Sequence, residues 1–210
     1  MIRLFIADDH AIVREGLKRI VADYPDIVVT GEASDGQEAL DKILKNDYDI
    51  ALLDISMPGK SGLDILKDLK TRKPNTLILV LSIHPEEQYA LRALKAGASG
   101  YITKESAPDE LIAAIRKISF GARYVSPSLA ERLVSNFVFG GEKPLHERLS
   151  DREYQTMCMI ASGKTVSDIA RELLLSIKTV STYRNRSLSK MGMRNNAELI
   201  SYVIRNQLLD

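Results

Sequence analysis

Thiols, tryptophan, long apolar runs and net charge are all scarce in this chain. There is one cysteine in 210 residues, Cys158, so no intramolecular disulfide and no multi-cysteine zinc site can form. Cys158 shares the apolar side of a helical pattern with Tyr154 and Ala161, the place of a packed core thiol. Tryptophan is absent and the tyrosines are scattered, which excludes an aromatic platform for single-stranded nucleic acid. The histidines, His10, His84 and His146, are too dispersed to make a metal site by themselves. No apolar run approaches the roughly 20 residues a bilayer span needs, and no basic segment opens the N-terminus. The chain is therefore expected to be soluble and cytoplasmic, with no membrane partner. Formal net charge is only +1.

What is present is an ordinary globular composition, 45% hydrophobic and 27% charged, with length for one large domain or two small ones. The charge is unevenly spread. Residues 1–120 carry 16 Lys and Arg against 19 Asp and Glu, and residues 149–210 carry 9 against 6. That asymmetry is compatible with a nucleic-acid-binding C-terminal part.

The first 120 residues alternate strand and helix patterns about five times, which argues for βαβ units and a parallel sheet. Ile50–Leu53 and Leu77–Leu81 are continuous apolar runs, as strands buried on both faces require. Each strand-like run ends on a residue with chemistry. Ile2–Ala7 leads into Asp8-Asp9, Ile50–Leu53 into Asp54, Leu77–Leu81 into Ser82, and Gly100–Thr103 into Lys104. In an open parallel sheet all strand carboxyl ends meet at one edge, where ligands bind. Three carboxylates, a hydroxyl and an ammonium group are thereby expected in one cleft. Crowded carboxylates call for a hard cation, and Mg²⁺ suits them. A carboxylate can also take a phosphoryl group as a nucleophile. The metal and the ammonium would then neutralise charge on the transferred oxygens, and Ser82 could donate to one of them.

Residues 121–148 read as a linker. Ser126-Pro127-Ser128 starts a short helix whose apolar face would be Leu129, Leu133, Val134 and Phe137. Gly140-Gly141 and Pro144 mark a hinge. From Leu149 the pattern is helical throughout. Ser150 and Glu153 form a capping box. Val166, Ile169, Ala170 and Leu173 make one face of a second helix, Ser176 caps a third, and a fourth begins near Asn195. The second and third form a helix-turn-helix. The third helix places Val180, Leu188 and Met191 on one side. Lys178, Thr182, Asn185 and Ser189 lie opposite, with Ser181 beside them. Lys178, Arg184 and Arg186 can meet phosphates of double-stranded DNA; Ser181, Thr182 and Asn185 can meet base edges, and Thr179 is counted with the DNA-facing set.

These residues carry a resemblance. Asp8-Asp9, Asp54 with Met57-Pro58 and Gly62 behind it, Ser82, Gly97-Ala98, Gly100-Tyr101 and Lys104 resemble the receiver domain of a two-component response regulator over residues 1 to about 120. Residues 149–210 resemble the LuxR-type helix-turn-helix of the NarL/FixJ family. The resemblance implies an α/β fold: a (βα)5 doubly wound receiver followed by an all-α four-helix domain. It implies a phosphorylation-dependent transcription regulator rather than an enzyme acting on an external substrate. Asp54 would accept a phosphoryl group from a sensor histidine kinase. Mg²⁺ would sit on Asp8, Asp9, Asp54 and the Ser56 backbone carbonyl. Lys104 and Ser82 would bind the phosphoryl oxygens. Ser82 and Tyr101 would form the switch, and the output would be homodimerisation, release of the third helix, or both. Ser181, Tyr183, Arg184 and Ser187 depart from the commonest family pattern. Lys178–Tyr183 more closely resembles the BvgA/EvgA branch, and Ser187 is expected to leave its region loosely packed.

Two rivals stay open at the level of sequence. An aspartate-nucleophile phosphohydrolase is one, though Ile55-Ser56 follows Asp54 where an acid-base partner would stand. A phosphorelay or sequestering receiver with a decayed DNA-binding domain is the other.

Overall fold

A computed structural model describes residues 1–57, 60–138 and 144–209, with the side chains of residues 87, 132, 133 and 135–138 outside the description. Pro58, Gly140-Gly141 and the side chains of Leu133 and Phe137, all named above, thus lie outside the described residues. The chain divides into two compact units, Met1–Arg132 and Leu133–Asp210.

The first unit alternates strand and helix as the pattern requires. Its strands are β1 (Ile2–Ala7), β2 (Ile27–Ala33), β3 (Ile50–Asp54), β4 (Leu77–Ser82) and β5 (Gly100–Thr103). Its helices are α1 (Ala11–Ala22), α2 (Gly36–Lys45), α3 (Gly62–Arg72), α4 (Glu86–Lys95) and α5 (Pro108–Ser119). All strand pairings are parallel, in the order β2-β1-β3-β4-β5. The order reverses direction at β1 and β3, the switch point where open α/β sheets bind ligands. The register sets Ala7 beside Leu53, Asp54 beside Leu81, and Ser82 beside Thr103. Strand length therefore fixes which side chains emerge together. Leu4, Ile6, Ile50, Leu52, Leu79 and Ile115 are fully buried between sheet and helices. At roughly 25 cal/mol per Å² this apolar burial is the main force holding the layers.

Helix α6 (Pro127–Val138) begins on the Ser126 hydroxyl, which accepts from Leu129 N at 3.1 Å. Its expected apolar face is corrected in part: Leu129 is buried, but Val134 is exposed. In the second unit, a 3₁₀ turn (Leu145–Arg148) precedes α7 (Asp151–Ala161), α8 (Val166–Glu172), α9 (Ile177–Met191) and α10 (Asn196–Arg205). Ser150 and Glu153 close the capping box on α7, and Asn195 caps α10 through Glu198 N. Gly192 ends α9 in the left-handed conformation, φ 67°, where a residue without Cβ meets no penalty. Cys158 is buried in α7, as its pattern requires.

Candidate functional site

Asp8, Asp54 and Ser82 are almost wholly buried at the carboxyl edge of the sheet. Lys104, one residue beyond β5, reaches across to two of them: its Nζ lies 2.6 Å from Asp8 Oδ2 and 2.9 Å from Asp54 Oδ2. The other Asp54 oxygen accepts from Ser56 N at 3.1 Å. Ser82 Oγ accepts from His84 N at 3.0 Å, and Lys104 N donates to Ser82 O at 2.7 Å. Gly62 stands so close behind the site that a Cβ there would meet Asp54 O at 2.1 Å.

Burial is the largest influence on Asp54 and raises its carboxyl above the ordinary value, with the Asp8 charge adding to it and Lys104 and the Ser56 N–H opposing. Burial alone would lower the Lys104 ammonium. Its pairing with Asp54 and Asp8 outweighs that and holds it raised. The pairing therefore favours a protonated Lys104.

Donor atoms of Asp8, Asp9, His10 and Asp54 all lie within 4.8 Å of one another. Asp8 Oδ2 and Asp9 Oδ1 are closed off from solvent, with Lys104 Nζ 2.6 Å from the first and His10 Nδ1 2.8 Å from the second. Three carboxylates gathered this closely fit a hard divalent cation. His10 stands at the residue before α1 and sets Nδ1 2.8 Å from Asp9 Oδ1, so it belongs to the same cluster.

In the second unit, Lys178, Thr182, Asn185, Arg186 and Ser189 are exposed along α9, while Val180, Ser187, Leu188 and Met191 are buried. Ser181 and Thr179 are half-buried, and Thr179 Oγ1 sits 2.7 Å from the capping Ser176 Oγ. Arg184 Nε donates to Asn196 Oδ1 at 2.6 Å, and its Nη1 to Asn185 Oδ1 at 3.4 Å. The first of these bonds ties its head to the start of α10. The loose packing expected at Ser187 is also corrected. Ser187 is buried, and its hydroxyl donates to Tyr183 O at 2.9 Å or Glu153 O at 3.1 Å.

Residues 4–116 match the model of the response regulator receiver domain, and residues 147–203 match that of the luxR family of bacterial regulatory proteins. The chain is a response regulator of the NarL/FixJ family. It is 37% identical over 210 residues to response regulator UvrY of Escherichia coli (strain K12), spanning 99% of this chain and 96% of that one. It is 36% identical over 211 residues to response regulator GacA of Pseudomonas protegens, spanning 100% of this chain and 99% of that one. Among solved structures, RcsB from Salmonella enterica serovar Typhimurium, bound to promoter rprA in the presence of phosphomimetic BeF3-, is 29% identical with a TM-score of 0.65. That match spans 97% of this chain and 98% of RcsB.

In this response regulator the fold brings Asp8, Asp9, Asp54 and Lys104 into one cluster, and strand pairing sets Ser82 at the adjoining strand end. Tyr101 is different: it is fully buried, and its hydroxyl donates to His84 O at 2.7 Å. Sequence reading missed the extent of His84's role. Besides these backbone contacts, its Nε2 lies 3.2 Å from Ser56 Oγ, and its ring stacks on Tyr89 with centroids 4.7 Å apart. The loops after β3 and β4 and the strand β5 thus share one residue. The available signal was position alone, two residues past a strand end.

Proposed function

We propose that this chain is a phosphorylation-dependent, DNA-binding transcription regulator: residues 1–120 receive a phosphoryl group, 121–148 link, and 149–210 bind promoter DNA. The observation that carries this reading is Lys104 bridging Asp8 and Asp54 at 2.6 and 2.9 Å beside a cation-ready carboxylate cluster. The donor would be a phosphohistidine of a sensor kinase. An Asp54 oxygen attacks phosphorus in line; the P–O bond forms as the P–N bond breaks, and the imidazole leaves with the electron pair and takes up a proton. Lys104 pairs with the incoming phosphoryl oxygens in place of one carboxylate, and the Ser82 hydroxyl donates to another. Asp8, Asp9, Asp54 and the Ser56 carbonyl would hold Mg²⁺, which when bound neutralises charge on the transferred group. Ser82 moving toward the new phosphate pulls on His84 N, and His84 O holds the Tyr101 hydroxyl, so Ser82 and Tyr101 move as a connected switch.

Output is DNA binding as a homodimer, with two copies of α9 in half-sites about one helical turn apart. Lys178 and Arg186 meet phosphates; Ser181, Thr182 and Asn185 meet base edges, and Thr179 and Arg184 brace the helix. The Lys178–Tyr183 segment allies the chain with the BvgA/EvgA branch. Of the three departures that motivate the sequestering alternative, Arg184 and Ser187 are accommodated by specific bonds, which leaves Ser181.

Acetyl phosphate with Mg²⁺ should label Asp54. Asp54→Asn should abolish labelling, Asp9→Ala should slow it strongly, and a chelator should suppress it. Label on another residue of the wild type, or labelling indifferent to chelator, overturns the assignment.

A further inference from the structure

Ile177 is an isoleucine at the first position of α9 with 58% of its surface exposed. On its own helix its i+4 neighbour is the polar Ser181 and its i+3 neighbour Val180 is fully buried, while Ile177 itself stays largely exposed. Its position is nonetheless tightly built. Ser176 Oγ accepts from Thr179 N at 3.0 Å, and Leu175 N donates to Ala170 O at 2.9 Å. Leu174 holds the turn in a left-handed conformation, φ 53°, a strained state for leucine. The exposure is therefore a fixed feature, not a frayed end. Isolated exposed apolar residues need no explanation in general. This one immediately precedes exposed Lys178, on the helix whose N-terminal residues enter the major groove in helix-turn-helix proteins. The first turn of α9 also carries no acidic residue, so nothing there repels a polyanion.

We infer that Ile177 reads a thymine 5-methyl group, adding an apolar contact to the polar ones of Ser181, Thr182 and Asn185. The major groove displays that methyl only at T, and an apolar side chain is its natural complement. The inference rests on the DNA-binding reading above.

The test uses the full-length chain, phosphorylated with acetyl phosphate, and the duplex it enriches from a random-sequence pool. Each thymine of the enriched half-site is replaced in turn by deoxyuridine, which removes the methyl and keeps every base-edge hydrogen bond. At one position per half-site the wild type should lose about fourfold in affinity, the worth of one buried methyl at about 0.8 kcal/mol. Ile177→Ala should bind the thymine duplex more weakly and no longer distinguish thymine from uracil at that position. Ile177→Val should retain part of the discrimination, which keeps the test informative if the alanine variant folds poorly. A wild type indifferent to every methyl, or an Ile177→Ala variant that discriminates as the wild type does, overturns the inference and leaves the DNA reading intact. Failure of the wild type to enrich any duplex overturns both.

Discussion

At the residue scale Lys104 bridges two buried carboxylates, Asp8 and Asp54. Two measurements follow from that arrangement. Asp54 is raised by burial, so its contribution to stability is fully present below the unfolded carboxylate value, about 4, and is lost as pH rises through the folded one. Where it is ionised in the folded chain, the group is a net cost. Asp54→Asn should therefore unfold at higher urea than the wild type at pH 7, with the gap closing as pH falls into the carboxylate range. An equal or lower midpoint for the variant at pH 7 counts against this account of the site. Lys104→Met removes the cation and leaves Asp8 and Asp54 facing each other. Breaking a buried pair this way costs about 3–5 kcal/mol. Millimolar Mg²⁺ should restore much of the loss, because ligand binding to the folded state alone stabilises it. A variant as stable as wild type in EDTA, or one that Mg²⁺ fails to help, contradicts the cluster's role. The four strand-end positions were legible because an apolar run followed by a polar residue marks where a buried strand surfaces. That Lys104 spans both Asp8 and Asp54, and that His84 ties Ser56 to Tyr101, was not, because both depend on side-chain direction between strands distant in sequence.

Elements follow their caps more faithfully than their apolar stripes. Ser150, Thr165, Ser176 and Asn195 each accept from the backbone three residues on, and each helix begins where its cap stands. The stripes overreached. Val134 fits the helical periodicity of α6 yet is exposed, while Leu129 on the same expected face is buried. In α9 the exception runs the other way, a polar residue inside. Ser187 packs beside α7, with the Glu153 carbonyl 3.1 Å from its hydroxyl. Ser187→Ala should cost about 0.5–1.5 kcal/mol, one net hydrogen bond. Ser187→Leu puts an aliphatic side chain in its place and should cost more, about 1–3 kcal/mol, because added methylenes meet a closed backbone. Denaturant midpoints decide between these: a leucine variant more stable than wild type would show that the region is loosely packed after all.

Whole-molecule behaviour turns on whether the two compact units communicate, and here sequence was least informative. Both units could be read from their motifs, since each is a local pattern of periodicity and punctuation. Coupling is not a local pattern, and Gly140-Gly141, where the sequence marks a hinge, lies outside the described residues. Thermodynamics still constrains it. If occupation of Asp54 raises DNA affinity by some factor, DNA must raise affinity for the phosphoryl group by the same factor per protomer, because the two routes to the doubly bound state have equal free energy. Beryllofluoride with Mg²⁺ is a reversible stand-in for the phosphoryl group and makes both arms measurable. Its half-saturation should fall in the presence of saturating specific duplex, and duplex affinity should rise with saturating beryllofluoride. The two factors should agree, within roughly 5–150-fold for a coupling of about 1–3 kcal/mol. A random duplex at the same salt should produce a smaller shift, since phosphate contacts alone do not require the half-site geometry of a dimer. Equal half-saturation with and without the specific duplex would mean that the receiver site and α9 are independent. In that case the chain could bind phosphate and bind DNA, yet phosphorylation would not regulate transcription through it.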